Sequence, residues 1–338
     1  MATDDSQLQA APEAAVDARG EPRFGAWLGH LPRVSWEGLS GDFARSLLWR
    51  VLHSKRWHYV SIAGPSVVLA AVVADLGYAA QAWAYVFDRA TRTLLFNDSF
   101  MGLQGVTHKV STSAGESSRT VFTGWNASLR IERPAGSPIW QIQGEGPGGF
   151  LLDASLDAIA APQTLLAIAR IDGGVANATH KTVNLPAQGE VRAGGKRFDL
   201  TGHHGALDHT MGLLARSTAW RWASASSARV GLNLVEGFNG PVENALWLDG
   251  KLYPAGEAIF EFDQSDHLKP WRVRNKSGTI DLTFTPEGAR REDKQLYIAQ
   301  SWYVQPIGVF NGTVRAPGGP PVEVKDLVGV TEDHVAKW

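Results

Sequence analysis

The 338-residue sequence has no cysteine. Without a thiol there is no disulfide framework, no thiolate nucleophile, no cysteine-ligated zinc and no cysteine-held iron–sulfur cluster. Charge of one sign is lacking as well. Thirty-four acidic side chains against 32 basic ones leave a net charge of −2, so no surplus of lysine and arginine exists to displace counterions from a phosphate backbone, which argues against nucleic acid as a partner. Nucleotide and hydrolase motifs are also missing. No Gly-x-Gly-x-x-Gly opens a helix after a strand, no Gly-x-x-x-x-Gly-Lys-Ser/Thr occurs, and no Gly-x-Ser-x-Gly elbow is present. The glycine-rich stretch Gly144–Gly149 is interrupted by Pro147 and reads as a loop. A dinucleotide cofactor, ATP and a serine-hydrolase mechanism are therefore not expected. The first 21 residues carry Asp4, Asp5, Glu13 and Asp17 in place of a basic-then-apolar segment, and read as a disordered tail rather than a secretory signal. A cytoplasmic protein is expected.

Long apolar runs are scarce. The one candidate, Val67–Phe87, is broken by Asp75, Gly77 and Gln81; it predicts a β-hairpin, with β-branched Val67–Val73, a turn at Asp75–Gly77 and alternating Ala82–Phe87, and no membrane span. The chain does have the means to fold: 44% hydrophobic residues, 13 tryptophans and 36 glycines. One amphipathic helix is expected, capped by Asp42, carrying Phe43, Leu47, Leu48, Val51 and Leu52 on a face packed against a sheet, and ending at Lys55 and Arg56.

Beyond Trp57 short alternating runs are punctuated by Gly, Pro, Asn and Asp every 8 to 12 residues or so, the pattern of antiparallel barrels or sandwiches. Expected strands include Leu296–Val304 and Val322–Leu327, with Asp249-Gly250, Gly194-Gly195, Ser277-Gly278 and Asn311-Gly312 as hairpin turns. Ala154–Ile171 fits a helix or a strand pair. The fold class expected is all-β, mainly antiparallel, with a few short helices. Two barrel-like halves, 22–172 and 173–338, would meet at Gly173-Gly174 and pack closely across a short linker.

Candidate chemistry gathers in the second half. Asp208-His209 precedes a strand in which Trp220 and Trp222, two apart, share a face. If that face lines a pocket, a carboxylic acid beside it is desolvated and stays protonated near neutral pH. The plainer alternatives are core tryptophans, a turn aspartate and a structural histidine. Glu243 and Asn244, with Asn233 on a facing strand, would orient water or a polar substrate group; Glu243 alternatively pairs with Arg216 or Arg221. His203, His204 and His209 invite a metal, but adjacent strand histidines diverge to opposite faces, and no metal is expected. Glu332-Asp333-His334 reads as a solvated terminal cap.

Asp208-His209-Thr210-Met211-Gly212, Trp220-Arg221-Trp222-Ala223, Gly231-Leu232-Asn233-Leu234, Glu243–Leu252, Lys269-Pro270-Trp271, Asp281–Pro286, Gly308–Gly312 and Gly329–His334 together resemble the domain-of-unknown-function 2804 family. In the first half Lys55–Tyr59 and Asp75–Ala79, which includes Tyr78, extend the resemblance. More distantly, the chain is similar to the carotenoid 1,2-hydratase and hydroxyneurosporene synthase group, a double lipocalin-like architecture. That resemblance implies a cofactor-free hydratase, dehydratase or cyclase acting on a hydrophobic small molecule, isoprenoid or aromatic, by protein acid and base groups. Asp208 would transfer the proton, His209 relay it and Glu243 position water, with Trp220, Trp222, Trp271, Asn233, Asn244 and Tyr78 around the substrate. A lipocalin-like carrier without chemistry is the alternative. Substrate and oligomeric state stay open.

Overall fold

The computed structural model describes residues 8–159, 163–295 and 300–338. Strands account for 60% of it and helices for 5%, in two curled antiparallel sheets that form two barrels. The first comprises β1 (Gly25–Leu28), β2 (Ser54–Ala63), β3 (Val67–Asp75), β4 (Ala80–Asp88), β5 (Thr93–Gly102), β6 (His108–Lys109), β7 (Ser118–Thr123), β8 (Ser128–Arg133), β9 (Ile139–Gly146), β10 (Phe150–Asp157), β11 (Leu165–Arg170), β12 (Ala176–Ala193), β13 (Lys196–Asp199) and β14 (His204–Leu213). The second comprises β15 (Ser217–Ser226), β16 (Val230–Gly237), β17 (Ala245–Leu248), β18 (Lys251–Pro254), β19 (Ala258–Glu261), β20 (Trp271–Asn275), β21 (Ile280–Gln295), β22 (Gln300–Val314) and β23 (Val322–Lys337). Their spatial orders are β5-β4-β3-β2-β14-β12-β10-β9-β8-β7-β6 and β18-β17-β16-β15-β23-β22-β21-β20-β19. Pairing therefore passes from one sheet to the other between Leu213 and Ser217, and residues 171–175 lie between β11 and β12 of the first.

The Val67–Phe87 run forms the hairpin β3–β4, turning at Leu76–Ala79. It looks like a membrane segment in sequence because both faces of β3 are covered. Val67, Leu69, Ala71 and Val73 fill the first barrel, while Val68, Ala70, Val72 and Ala74 pack with Trp222, Val235, Ile307, Val328 and Val330 of the second. Full burial of each larger side chain is worth about 1.5–3 kcal/mol, so this seam holds the barrels together. Ala154–Ile171 resolves into the end of β10 and into β11, with 160–162 outside the described residues. Of Leu296–Val304, residues 296–299 likewise lie outside; 300–304 open β22.

Three features differ from expectation. The helix is short, α1 (Leu47–His53), capped by Ser46, whose side chain accepts from Trp49 N; Asp42 lies in a separate 3-10 turn, and Lys55 and Arg56 already belong to β2. Leu47, Leu48, Val51 and Leu52 of α1 are exposed rather than packed on a sheet. Residues 8–21 lie along the first barrel instead of trailing as a tail: Ala11 N donates to Leu28 O, and Ala15 is buried beside Leu31, Val34 and Trp36. Residues 1–7 are outside the described residues. Finally, Glu332-Asp333-His334 is no solvated cap. It lies inside β23, which runs on to Lys337 between β15 and β22.

Candidate functional site

Cross-strand register builds the site. In the first barrel Lys181, Asp208, Tyr59, Val72 and Trp83 stand opposite one another across β12, β14, β2, β3 and β4. Residues in one such row share a face, and this face looks outward toward the second barrel. There, Trp220, His334 and Tyr303 form a row across β15, β23 and β22, while Trp222 faces Glu332 and Arg290 faces Gln305. Between the two faces lies a cavity of about 190 Å³ walled mainly by apolar and aromatic side chains, including Trp57, Trp83, Trp220, Trp222 and Phe238.

Two polar clusters interrupt that wall. In the first, Lys181 Nζ donates to Asp208 Oδ2 at 2.7 Å and lies 3.7 Å from Glu243 Oε1. Asp208 Oδ1 also accepts from Thr210 at 2.8 Å and Thr179 at 3.2 Å, and Trp57 Nε1 approaches Oδ2 at 3.5 Å. Every one of these neighbours donates, an arrangement suited to a carboxylate. Burial opposes the Lys181 charge, but Asp208 and Glu243 outweigh it and hold the ammonium pKa above the usual lysine range. Burial also raises the Glu243 pKa, against the pull of Lys181.

The second cluster centres on Glu332. Trp220 Nε1 donates to its Oε1 at 2.7 Å and Gln305 Nε2 to its Oε2 at 2.9 Å, with Tyr85 Oη donating onward to Gln305 at 2.8 Å. Burial pushes the Glu332 pKa up to about 7, so the carboxyl is substantially protonated near neutrality. His334, 3.8 Å away through Nδ1, is driven down to about 3 by burial and is neutral. The buried Arg290 guanidinium lies over Trp83 at 4.3 Å and Tyr303 at 4.9 Å, and is neutralised by Glu292 at 2.8 Å. Tyr59 and Tyr303 carry buried hydroxyls without a hydrogen-bond partner among the described residues. They can serve a polar group in the cavity.

Of the residues singled out in the sequence, Asp208, Glu243, Trp220, Trp222 and Tyr78 line this cavity. His209 does not. It follows Asp208 in a strand, so it points to the opposite face, into the first barrel, where Nε2 meets Ser111 O at 2.7 Å beside His58 and His180. Trp271 is fully buried in the second barrel's core, stacked on Phe262 at 3.7 Å. Asn233 and Asn244 brace the wall from behind: Asn233 accepts from Trp222 Nε1 and donates to Glu243 O, and Asn244 bonds both backbone groups of Val235. Arg221 pairs with Glu236 and Asp333, leaving Glu243 to Lys181. Among the described residues no group of three or more His, Asp or Glu side chains is placed to hold a metal. Lys181, Arg290, Tyr59 and Tyr303 were not singled out as site residues in the sequence, and Glu332 was read there as part of a solvated cap; the structure places it in β23 on the same face as Val328 and Val330, toward the cavity.

The family model described as domain of unknown function, DUF2804, matches residues 7–338. The chain belongs to that family. No curated protein matches the sequence. Solved structures do resemble this DUF2804 protein in fold. CghA, also solved with Sch210972, has a TM-score of 0.57 at 11% identity, covering 98% of this chain and 97% of its own. Kievitone hydratase from Nectria haematococca has a TM-score of 0.54 at 10% identity over 88% of this chain and 93% of its own. A candidate AttH from Nitrosomonas europaea has a TM-score of 0.54 at 14% identity over 86% and 94%. At these identities the likeness is one of fold.

Proposed function

We propose that this DUF2804 protein is a cofactor-independent lyase or isomerase that transfers a proton to a hydrophobic small molecule held between its two barrels, with Glu332 as the acid. The observation that carries this reading is a carboxyl group poised near pH 7 on the wall of an aromatic cavity, where a general acid is most effective. The proton of Glu332 would pass to one carbon of a substrate double bond, and the cation developing at the other carbon would be faced by the rings of Trp220 and Trp222. Water then adds to that carbon and returns a proton to the Glu332 carboxylate, which is hydration; loss of a neighbouring proton to the same carboxylate moves the double bond instead. Lys181, held charged by Asp208 and Glu243, anchors a polar substituent, and Tyr59 and Tyr303 donate to another. The fold shared with a protein named as a hydratase supports the reading by analogy.

The test compares purified wild type with Glu332→Gln after incubation with cell extract, identifying by mass spectrometry the small molecules each retains and releases. The expected result is a compound trapped unchanged by Glu332→Gln and returned by wild type as an isomer or with one water gained. The same unaltered compound from both proteins would make the protein a carrier.

A further inference from the structure

The exposed large apolar side chains of this protein are concentrated at one end of the first barrel. Among the described residues, nine of the twelve belong to four segments there: the four of α1, Tyr78, the stretch holding Met101, Leu103 and Val106, and Trp125. The segments adjoin one another. The backbone of Val51 in α1 packs against Gly77, Ala80 pairs with Gly102, and Thr123 N donates to Thr107 O at 2.7 Å, which brings the β7–β8 turn with Trp125 alongside the loop after β5. Tyr78 and Met101 line the inter-barrel cavity as well, so this apolar rim reaches the cavity on its first-barrel side. Isolated exposed apolar residues need no explanation; a contiguous patch that runs up to a cavity marks a docking surface.

Charge selects the occupant. The stretches 43–56, 76–79, 99–109 and 123–128 contain no Asp or Glu, while Arg45, Arg50 and Lys109 are exposed or half-buried on them and pair with no carboxylate among the described residues. A fully exposed tryptophan, protruding leucines and unpaired cations side by side match the interfacial region of an anionic bilayer, where apolar groups enter the acyl boundary and cations meet headgroups. We propose that this rim docks on an anionic membrane surface and takes hydrophobic substrate directly from it into the cavity. The uptake step rests on the function proposed above, whereas docking does not involve Glu332.

Co-sedimentation tests this with vesicles of phosphatidylcholine alone and of phosphatidylcholine containing about a third phosphatidylglycerol. Wild type and Glu332→Gln should both pellet with the anionic vesicles, roughly tenfold more than with the neutral ones, and the double variant Leu48→Asp/Val106→Asp should stay in the supernatant with an unchanged thermal melt. Because Glu332→Gln binds like wild type, lack of turnover and lack of docking are separately visible. Wild type remaining in the supernatant with both vesicles, or the double variant pelleting undiminished, would overturn the proposal. So would a wild-type dimer on size exclusion that the double variant converts to monomer, since the rim would then cover a second copy.

Discussion

Glu332 and Asp208 carry the same functional group into one cavity, and their neighbours give them different surroundings. Burial of Glu332 outweighs the donors Trp220 and Gln305 and the nearby Tyr303 and Arg290, so its pKa rises from 4.5 to about 7. A raised carboxyl pKa makes the folded state the better proton binder, so the stability contributed by Glu332 is full below about pH 4.5, declines as pH rises toward 7 and is gone above it, by about 3 kcal/mol in all. Glu332→Gln should flatten that part of the pH–stability curve in urea titrations while lowering turnover about 10² to 10⁴-fold. Asp208 is tied to Lys181, and Asp208→Asn removes a partner from a buried cation. The expected loss is about 3 kcal/mol in a denaturant melt, softened by Glu243, which remains. A melt indistinguishable from wild type would show that Lys181 does not depend on Asp208. From sequence, Asp208 looked like the acid because its ammonium partner lies 27 residues away in the chain and meets it only through strand register. His209 was drawn in by adjacency to Asp208, although adjacency along a strand separates faces.

The 18-residue β12 shows how an element serves both barrel and site. Its first part pairs with β11 and β14 and presents Lys181; after a bulge between Thr182 and Leu185, where Asn184 adopts φ 61°, its second part pairs with β10 and β13. Gly189 has φ 103°, and a Cβ there would lie 2.2 Å from the Asp153 carbonyl oxygen, so only glycine lets β12 pass β10 at this point. Gly189→Ala should cost about 1–3 kcal/mol in urea unfolding; an unchanged midpoint would mean the strands relax freely. The turns at Asp249-Gly250 and Gly194-Gly195 were legible because positive φ has few residue types to choose from, and both pairs do have it. Asn311-Gly312 was read as the same signal, but lies within β22, where the register with β23 shifts. α1 misled for a related reason: helical spacing of leucines states that a face is apolar, not that the protein covers it.

For the whole molecule, the β-rich composition and the turn spacing were enough to read two barrels, and far-ultraviolet dichroism should be almost purely β. What no local pattern contained was which outer face of one barrel meets the other, since that depends on two rows of side chains drawn from eight strands. The cavity created there is lined by Trp57, Trp83, Trp220, Trp222 and Trp338, so a hydrophobic ligand should quench or shift tryptophan emission, and Trp222→Phe should reduce that response. Unaltered emission at saturating ligand would place binding elsewhere. The most direct measurement is incubation of the protein with its retained small molecule in heavy water, followed by mass analysis of what is released. If Glu332 delivers a proton to carbon, wild type yields a product carrying one carbon-bound deuterium and Glu332→Gln yields none; release of an unlabelled molecule by wild type would contradict proton transfer and with it the account of the site.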